Sequence, residues 1–159
     1  MSNTTHYGII GCGMMGHEHM RNIALLDNAR VAGVFEPDAG MAQIAQDIAP
    51  DAQLVDSIDA LLEMPELDCI LIVSPNFRHV EQLEMLAAKR HLPVLVEKPL
   101  FTDVDQLARI NRFADTYPSP VWVAMEYRYM PPIAALLNCV DDVTGGVKML
   151  TIREHRFPF

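Results

Sequence analysis

Short apolar runs alternate along the chain with longer stretches in which apolar residues recur every three or four positions. The runs at 7–10, 31–35, 69–73, 94–96 and 121–125 are the clearest strands. Their apolarity is continuous, so both faces of each strand are expected to be covered. Between them, Val80, Leu83, Leu86 and Ala87 share one helical face, and Leu107, Ile110, Phe113 and Ala114 share another. The second of these helices has a legible start at Thr102-Asp103-Val104-Asp105, where a hydroxyl and carboxylates can accept from unpaired backbone N–H groups. Pro118 and Pro120 stop it. Strands alternating with helices predict right-handed crossovers and an α/β fold with a doubly wound, mostly parallel sheet, the units being too few for a barrel.

After Pro131 the pattern changes to a short helix over 133–140, a turn at Thr144-Gly145-Gly146 and a strand over 147–154. A strand in that position has no downstream partner for its backbone, so more protein is expected to follow and cover it. The expected organisation is one α/β domain over 1–130 and, over 131–159, the opening of a second, α+β domain that is largely absent.

The segment Gly11-Cys12-Gly13-Met14-Met15-Gly16 follows the first strand directly and opens a helix. Three glycines at this spacing are weak evidence alone, but the strand-loop-helix context is the one dinucleotide binding requires. Gly11 would make the tight turn, Gly13 would let a pyrophosphate approach the backbone, and Gly16 would let the helix pack on the strand. The helix N-terminus would attract the phosphates. Twenty residues past Gly16, at the end of the second strand, Glu36 can accept from the adenosine ribose hydroxyls. Phe35, Pro37 and Asp38 flank it, so a 2'-phosphate there would meet negative charge without a cation. The pattern therefore favours NAD over NADP.

Composition narrows the function classes. The 159 residues carry a formal charge of −9, with no basic cluster, which argues against a nucleic-acid partner. No apolar run approaches the roughly 18 residues of a membrane-spanning helix, and the first residues lack the pattern of a secretory signal. Cys12, Cys69 and Cys139 are odd in number and widely spaced, which fits a reducing cytoplasm better than a disulfide framework. His17-Glu18-His19 could suggest a metal, but positions i and i+2 of a helix diverge and no distant ligand set completes it, so no metal is expected.

Beyond the glycine loop, the chain carries Ser74-Pro75-Asn76 with His79 three residues later, Glu97-Lys98-Pro99, and Glu126-Tyr127-Arg128-Tyr129-Met130-Pro131. In this order and across nearly the whole chain, these landmarks resemble the Gfo/Idh/MocA family of oxidoreductases. The resemblance implies a Rossmann domain preceding a larger domain on an antiparallel sheet, with substrate between them and association into homo-oligomers through that sheet. It implies that Lys98 lies beside the nicotinamide as the catalytic residue, and that Glu97 and Pro99 shape its loop, with a cis Lys98–Pro99 peptide. It also implies cofactor contacts from the glycine loop (Gly11, Cys12, Gly13, Met14, Met15 and Gly16), Glu36, Ser74, Pro75, Asn76, His79, Glu97, Lys98 and Arg128. Capping its own helix is the alternative role for His79. Glu126 and Tyr127 depart from the Asn-Arg commoner at those places in the family, which bears on substrate choice.

The chemistry agrees with the assignment of Lys98, because a fixed ammonium can orient an alcohol and stabilise charge on the oxygen as it becomes a carbonyl. The expected function is NAD-dependent hydride transfer to or from a sugar, polyol or cyclitol. A non-catalytic NAD sensor is the alternative, which would leave Glu97 and Lys98 without a purpose. The family's proton-accepting histidine lies beyond Phe159.

Overall fold

The computed structural model describes residues 4–138, 145, 146, 149, 151 and 153. The chain divides into two compact units, one through Ala124 and one from Met125. In the first, β1 (Thr5–Ile10), β2 (Ala29–Phe35), β3 (Gln53–Val55), β4 (Cys69–Ile72), β5 (Val94–Val96) and β6 (Val121–Val123) form one sheet in the order β3-β2-β1-β4-β5-β6. Every neighbouring pair is parallel. The helices between them are α1 (Met14–Ile23), α2 (Ala39–Ile48), α3 (Ile58–Glu63), α4 (His79–Lys89) and α5 (Leu107–Thr116). This is the doubly wound Rossmann arrangement, and the strand order reverses between β1 and β4.

Side chains leaving a strand alternate between its faces, and the core is accordingly built as two layers. Ile10, Ile70, Ile72, Val94 and Val96 pack with Val80, Leu83, Leu86, Ile110 and Phe113 under α4 and α5. Their strand neighbours Ile9, Leu71 and Val73 face the other way and pack with Met20, Ile23 and Ala45 of α1 and α2. Continuous apolarity in β1 and β4 is thus the signature of burial on both faces.

β3 was not among the strands expected from the apolar runs. It is a three-residue edge strand, Gln53-Leu54-Val55, too short and too exposed to need one. Approaching α5, the Asp103 carboxylate accepts from Asp105 N–H at 2.9 Å, and the Gln106 side-chain oxygen accepts from Thr102 N–H at 3.0 Å. That cap agrees with the start expected at Thr102 and Asp103.

In the second unit, a 3-10 turn at Glu126–Tyr129 leads into α6 (Pro131–Leu137). The helix expected over 133–140 therefore begins two residues earlier, with proline in its first turn, where a missing N–H is tolerated. Thr144 and most of the strand expected over 147–154 lie outside the described residues. No helix among the described residues is long and apolar enough to cross a membrane.

Candidate cofactor site

The glycine loop is held at both ends by the strands beneath it. Gly11 N–H donates to Phe35 O at 2.8 Å, tying the end of β1 to the end of β2. Gly11 adopts φ +84°, and a Cβ there would lie 2.5 Å from Ser74 Cα, so the turn presses on the backbone beyond β4. At Gly16 a Cβ would meet Gly11 O at 2.9 Å and Val73 Cγ2 at 3.3 Å, because α1 packs closely on the sheet.

Gly13 differs from both. It is the N-cap of α1, has no side-chain cap, and a Cβ added to it would meet nothing within 4 Å. No protein atom requires glycine there. The open space lies at the N-terminus of a ten-residue helix whose first N–H groups have no intrahelical acceptor.

At the end of β2 the Glu36 carboxylate is oriented by two backbone donors. Cys12 N–H donates to Oε2, and Asp38 N–H donates to Oε1 at 2.8 Å. A carboxylate has about four lone-pair sites, so it can still accept from a ligand hydroxyl.

These elements wall a cleft of about 860 Å³ lined by Gly11, Cys12, Gly13, Met14, Met15, Glu36, Ser74 and Pro75. It lies over the switch between β1 and β4, where open α/β sheets bind ligands. Phe77, Glu81 and Met85 also line it, together with Arg78 and Gln82. Their spacing of four places them on one face of the turn and helix after β4, a periodicity present in the sequence. Asp56 and Ser57 were missed because they follow the unrecognised β3.

The remaining expected site residues lie elsewhere. Asn76 is exposed and does not line the cleft. His79 departs from the expectation of a dinucleotide contact: it is fully buried, with Nδ1 2.9 Å from Pro99 O and Nε2 3.0 Å from Ser74 O. Its ring braces the loop after β5 against the loop after β4, since α4 starts by turning this face into the core. Lys98 and Glu97 sit at the C-terminal end of β5, and the Lys98–Pro99 peptide is cis, the isomer the resemblance implied. Arg128 belongs to the second unit, in the 3-10 turn before α6.

Cys12 belongs to the loop but is chemically quiet. Its thiol is fully buried, 3.2 Å from Met20 Sδ, and burial followed by the nearby Glu36 charge pushes its pKa up to about 12. Burial, with Asp68 nearby, pushes Cys69 up to about 12 as well. At pH 8 only about one thiol in 10⁴ is then ionised, against about one in four for an ordinary cysteine. Cys12 and Cys69 are therefore expected to resist iodoacetamide in the folded chain and to react once denaturant is added, as peptide mapping would read. Rapid labelling of Cys12 in the native chain would contradict its burial.

A family model described as an oxidoreductase family with an NAD-binding Rossmann fold, Gfo/Idh/MocA, matches residues 5–125. Inositol 2-dehydrogenase of Corynebacterium glutamicum (strain R) is 30% identical over 160 residues, covering 99% of this chain and 47% of that protein. Inositol 2-dehydrogenase of Paracoccus denitrificans (strain Pd 1222) is 34% identical over 158 residues, covering 98% of the chain and 46% of the relative. The chain spans about half the length of the curated relatives it matches. Among solved structures, myo-inositol dehydrogenase from Lactobacillus casei in complex with NAD(H) and myo-inositol superposes with a TM-score of 0.77 at 25% identity, covering 91% of this chain and 42% of that one. Apo scyllo-inositol dehydrogenase from the same organism has a TM-score of 0.79 at 22% identity, a likeness of fold.

Proposed function

The chain belongs to the Gfo/Idh/MocA family of oxidoreductases with an NAD-binding Rossmann fold, and from that premise we propose that it builds the cofactor site of an NAD-dependent dehydrogenase acting on a cyclitol, sugar or polyol. The observation that carries the reading is Gly13, a helix N-cap whose missing Cβ leaves space that no protein atom fills. Such a cradle fits a pyrophosphate, with the N–H groups of the first turn of α1 donating to it. Glu36, already oriented by Cys12 and Asp38, accepts from the adenosine ribose hydroxyls. Its charge, with Asp56 also along the cleft and Arg78 already paired to Glu81 at 2.9 Å, disfavours a 2'-phosphate and hence NADP. Ser74 and Pro75 close the cleft where the strand order reverses.

When bound, the nicotinamide supplies the hydride acceptor or donor. Lys98 acts on the substrate: its ammonium donates to the reacting oxygen, holds it in place and stabilises negative charge during the change between alcohol and carbonyl. The cyclitol class is favoured by the inositol dehydrogenases among the relatives. Glu97 stands beside Lys98 at the end of β5, and His79 braces the loop that follows, its Nδ1 2.9 Å from Pro99 O.

Calorimetric titration of NAD and NADP tests the cofactor reading directly. NAD should bind at least tenfold tighter than NADP. Glu36→Ala should weaken NAD about tenfold, the loss of roughly one charge-assisted hydrogen bond. Gly13→Ala should weaken it at least as much while changing unfolding free energy by less than about 1 kcal/mol, since alanine is somewhat poorer than glycine at an N-cap. Equal affinity of wild type and both variants for NAD would defeat the proposal.

A further inference from the structure

One buried polar side chain beside the glycine loop takes no part in the cofactor site described above. His17, one residue past Gly16 on α1, is buried, and its Nε2 stands 3.1 Å from Met41 O in the first turn of α2. A carbonyl oxygen accepts and does not donate, so the proton of this bond is on Nε2. His19 does not share the role, because it leaves α1 in another direction, with Nε2 2.9 Å from Glu97 Oε1 across 78 positions.

The bond from His17 closes a ring of hydrogen bonds around Glu36. Asp38 N–H donates to Glu36 Oε1 at 2.8 Å, Met41 N–H donates to Asp38 Oδ1 at 2.9 Å, and Met41 O accepts from His17. In the other direction Glu36 Oε2 accepts from Cys12 N–H, in the loop that leads back into α1. Apolar packing does little to hold this segment, since residues 37–41 are exposed and Ala45 is the one buried residue of α2. A helix start with few buried apolar contacts opens readily unless something else ties it down. We propose that His17 is a positioning residue for Glu36: by holding Met41 O it fixes the first turn of α2, and with it the Asp38 N–H that aims the carboxylate. A carboxylate so aimed accepts from a ribose 2'-hydroxyl and repels a 2'-phosphate, so His17 sharpens the choice of NAD over NADP. That consequence rests on the cofactor reading above, whereas the hold on Glu36 does not.

The test has one arm with dinucleotide and one without. By calorimetry, the ratio of NAD to NADP affinity should fall at least about threefold in His17→Leu and His17→Met, the loss of part of one hydrogen bond to Glu36. A mere loosening of α1 would weaken both dinucleotides alike and leave the ratio where it was. His17→Gln places a carboxamide N–H where Nε2 stood and should keep the wild-type ratio. On a Glu36→Ala background, His17→Leu should leave the ratio unaltered, because no carboxylate remains to be aimed. Without ligand, NMR should show the Asp38 amide exchanging faster in the folded apolar variants, with the Val73 amide as internal reference, and Nε2 of His17 carrying a proton in the wild type. An unchanged ratio in a folded apolar variant overturns the proposal, as does a fall that persists without Glu36. A bare Nε2 in the wild type overturns it as well, even if neither apolar variant folds. Equal affinity of the wild type for NAD and NADP would instead defeat the cofactor reading, and Asp38 exchange would still decide whether His17 holds Glu36: faster exchange supports it, unchanged exchange refutes it.

Discussion

Gly11→Ala should lower the unfolding free energy by about 2–5 kcal/mol, measured as a shift in denaturant midpoint at constant slope. Two costs combine. Alanine at φ +84° pays roughly 1–2 kcal/mol for a left-handed backbone. Its Cβ would also lie 2.5 Å from Ser74 Cα and 2.6 Å from Ser74 N. Those are backbone atoms, and they cannot swing aside as a side-chain tip would. The strands behind them are pinned as well, since Val73 N–H donates to Ile10 O at 2.9 Å and Gly11 N–H to Phe35 O. Forcing a methyl into such a site typically adds about 1–3 kcal/mol. Gly13→Ala is the control from the same loop, with an ordinary φ of −70° and an empty surround. One glycine is required by the fold and the other borders space that no protein atom fills. A loss below about 1 kcal/mol at Gly11 would show that β1 and β4 separate more easily than their hydrogen bonds indicate.

The second large effect is expected at Arg90, which follows α4 and stitches the far side of the sheet. Its guanidinium donates to Leu67 O at 2.9 Å, Pro65 O at 3.2 Å, Leu62 O at 3.3 Å and Met64 O. These carbonyls belong to the end of α3 and the loop into β4, where helix-terminal acceptors lack intrahelical donors. The same segment contributes Leu61, Leu62, Met64 and Leu67 to the core, so the carbonyls cannot all turn to water without moving buried side chains. Arg90→Ala should cost about 2–4 kcal/mol, less than four additive charged hydrogen bonds because part of the loop is wet. Arg90→Lys should recover under half of that, because one ammonium cannot span four acceptors. Amide hydrogen exchange supplies the local readout: protection should fall first between α3 and β4. If exchange there is unchanged in Arg90→Ala, the fork is ornamental.

Both variants act through contacts between distant residues, and this separates what the chain displays in one dimension from what it does not. The glycine loop was legible because strand, turn and helix are consecutive there, although only Gly11 and Gly16 meet a steric demand of the fold and nothing crowds Gly13. The place of Glu36 was legible because the apolar run of β2 stops at Phe35, directly before it. β3 was not, since a three-residue edge strand buries too little to leave an apolar run. His79 was read as a cofactor contact because it follows a strand-end motif, yet its helix begins by rotating that ring into the core.

The alternation of apolar runs and amphipathic stretches by itself determined the α/β class, the crossover helices, the glycine loop between β1 and α1 and the acid at the end of β2. The reason is that helix and strand periods, caps and tight turns are imposed by neighbours along the chain. Only the tertiary structure decided that Phe77, Glu81 and Met85 share the cleft with the glycine loop, that His79 is a brace, and that His19 holds Glu97 across 78 residues. Those pairings depend on strand order and on the rotation of each helix about its axis, quantities set by packing both faces of the sheet at once.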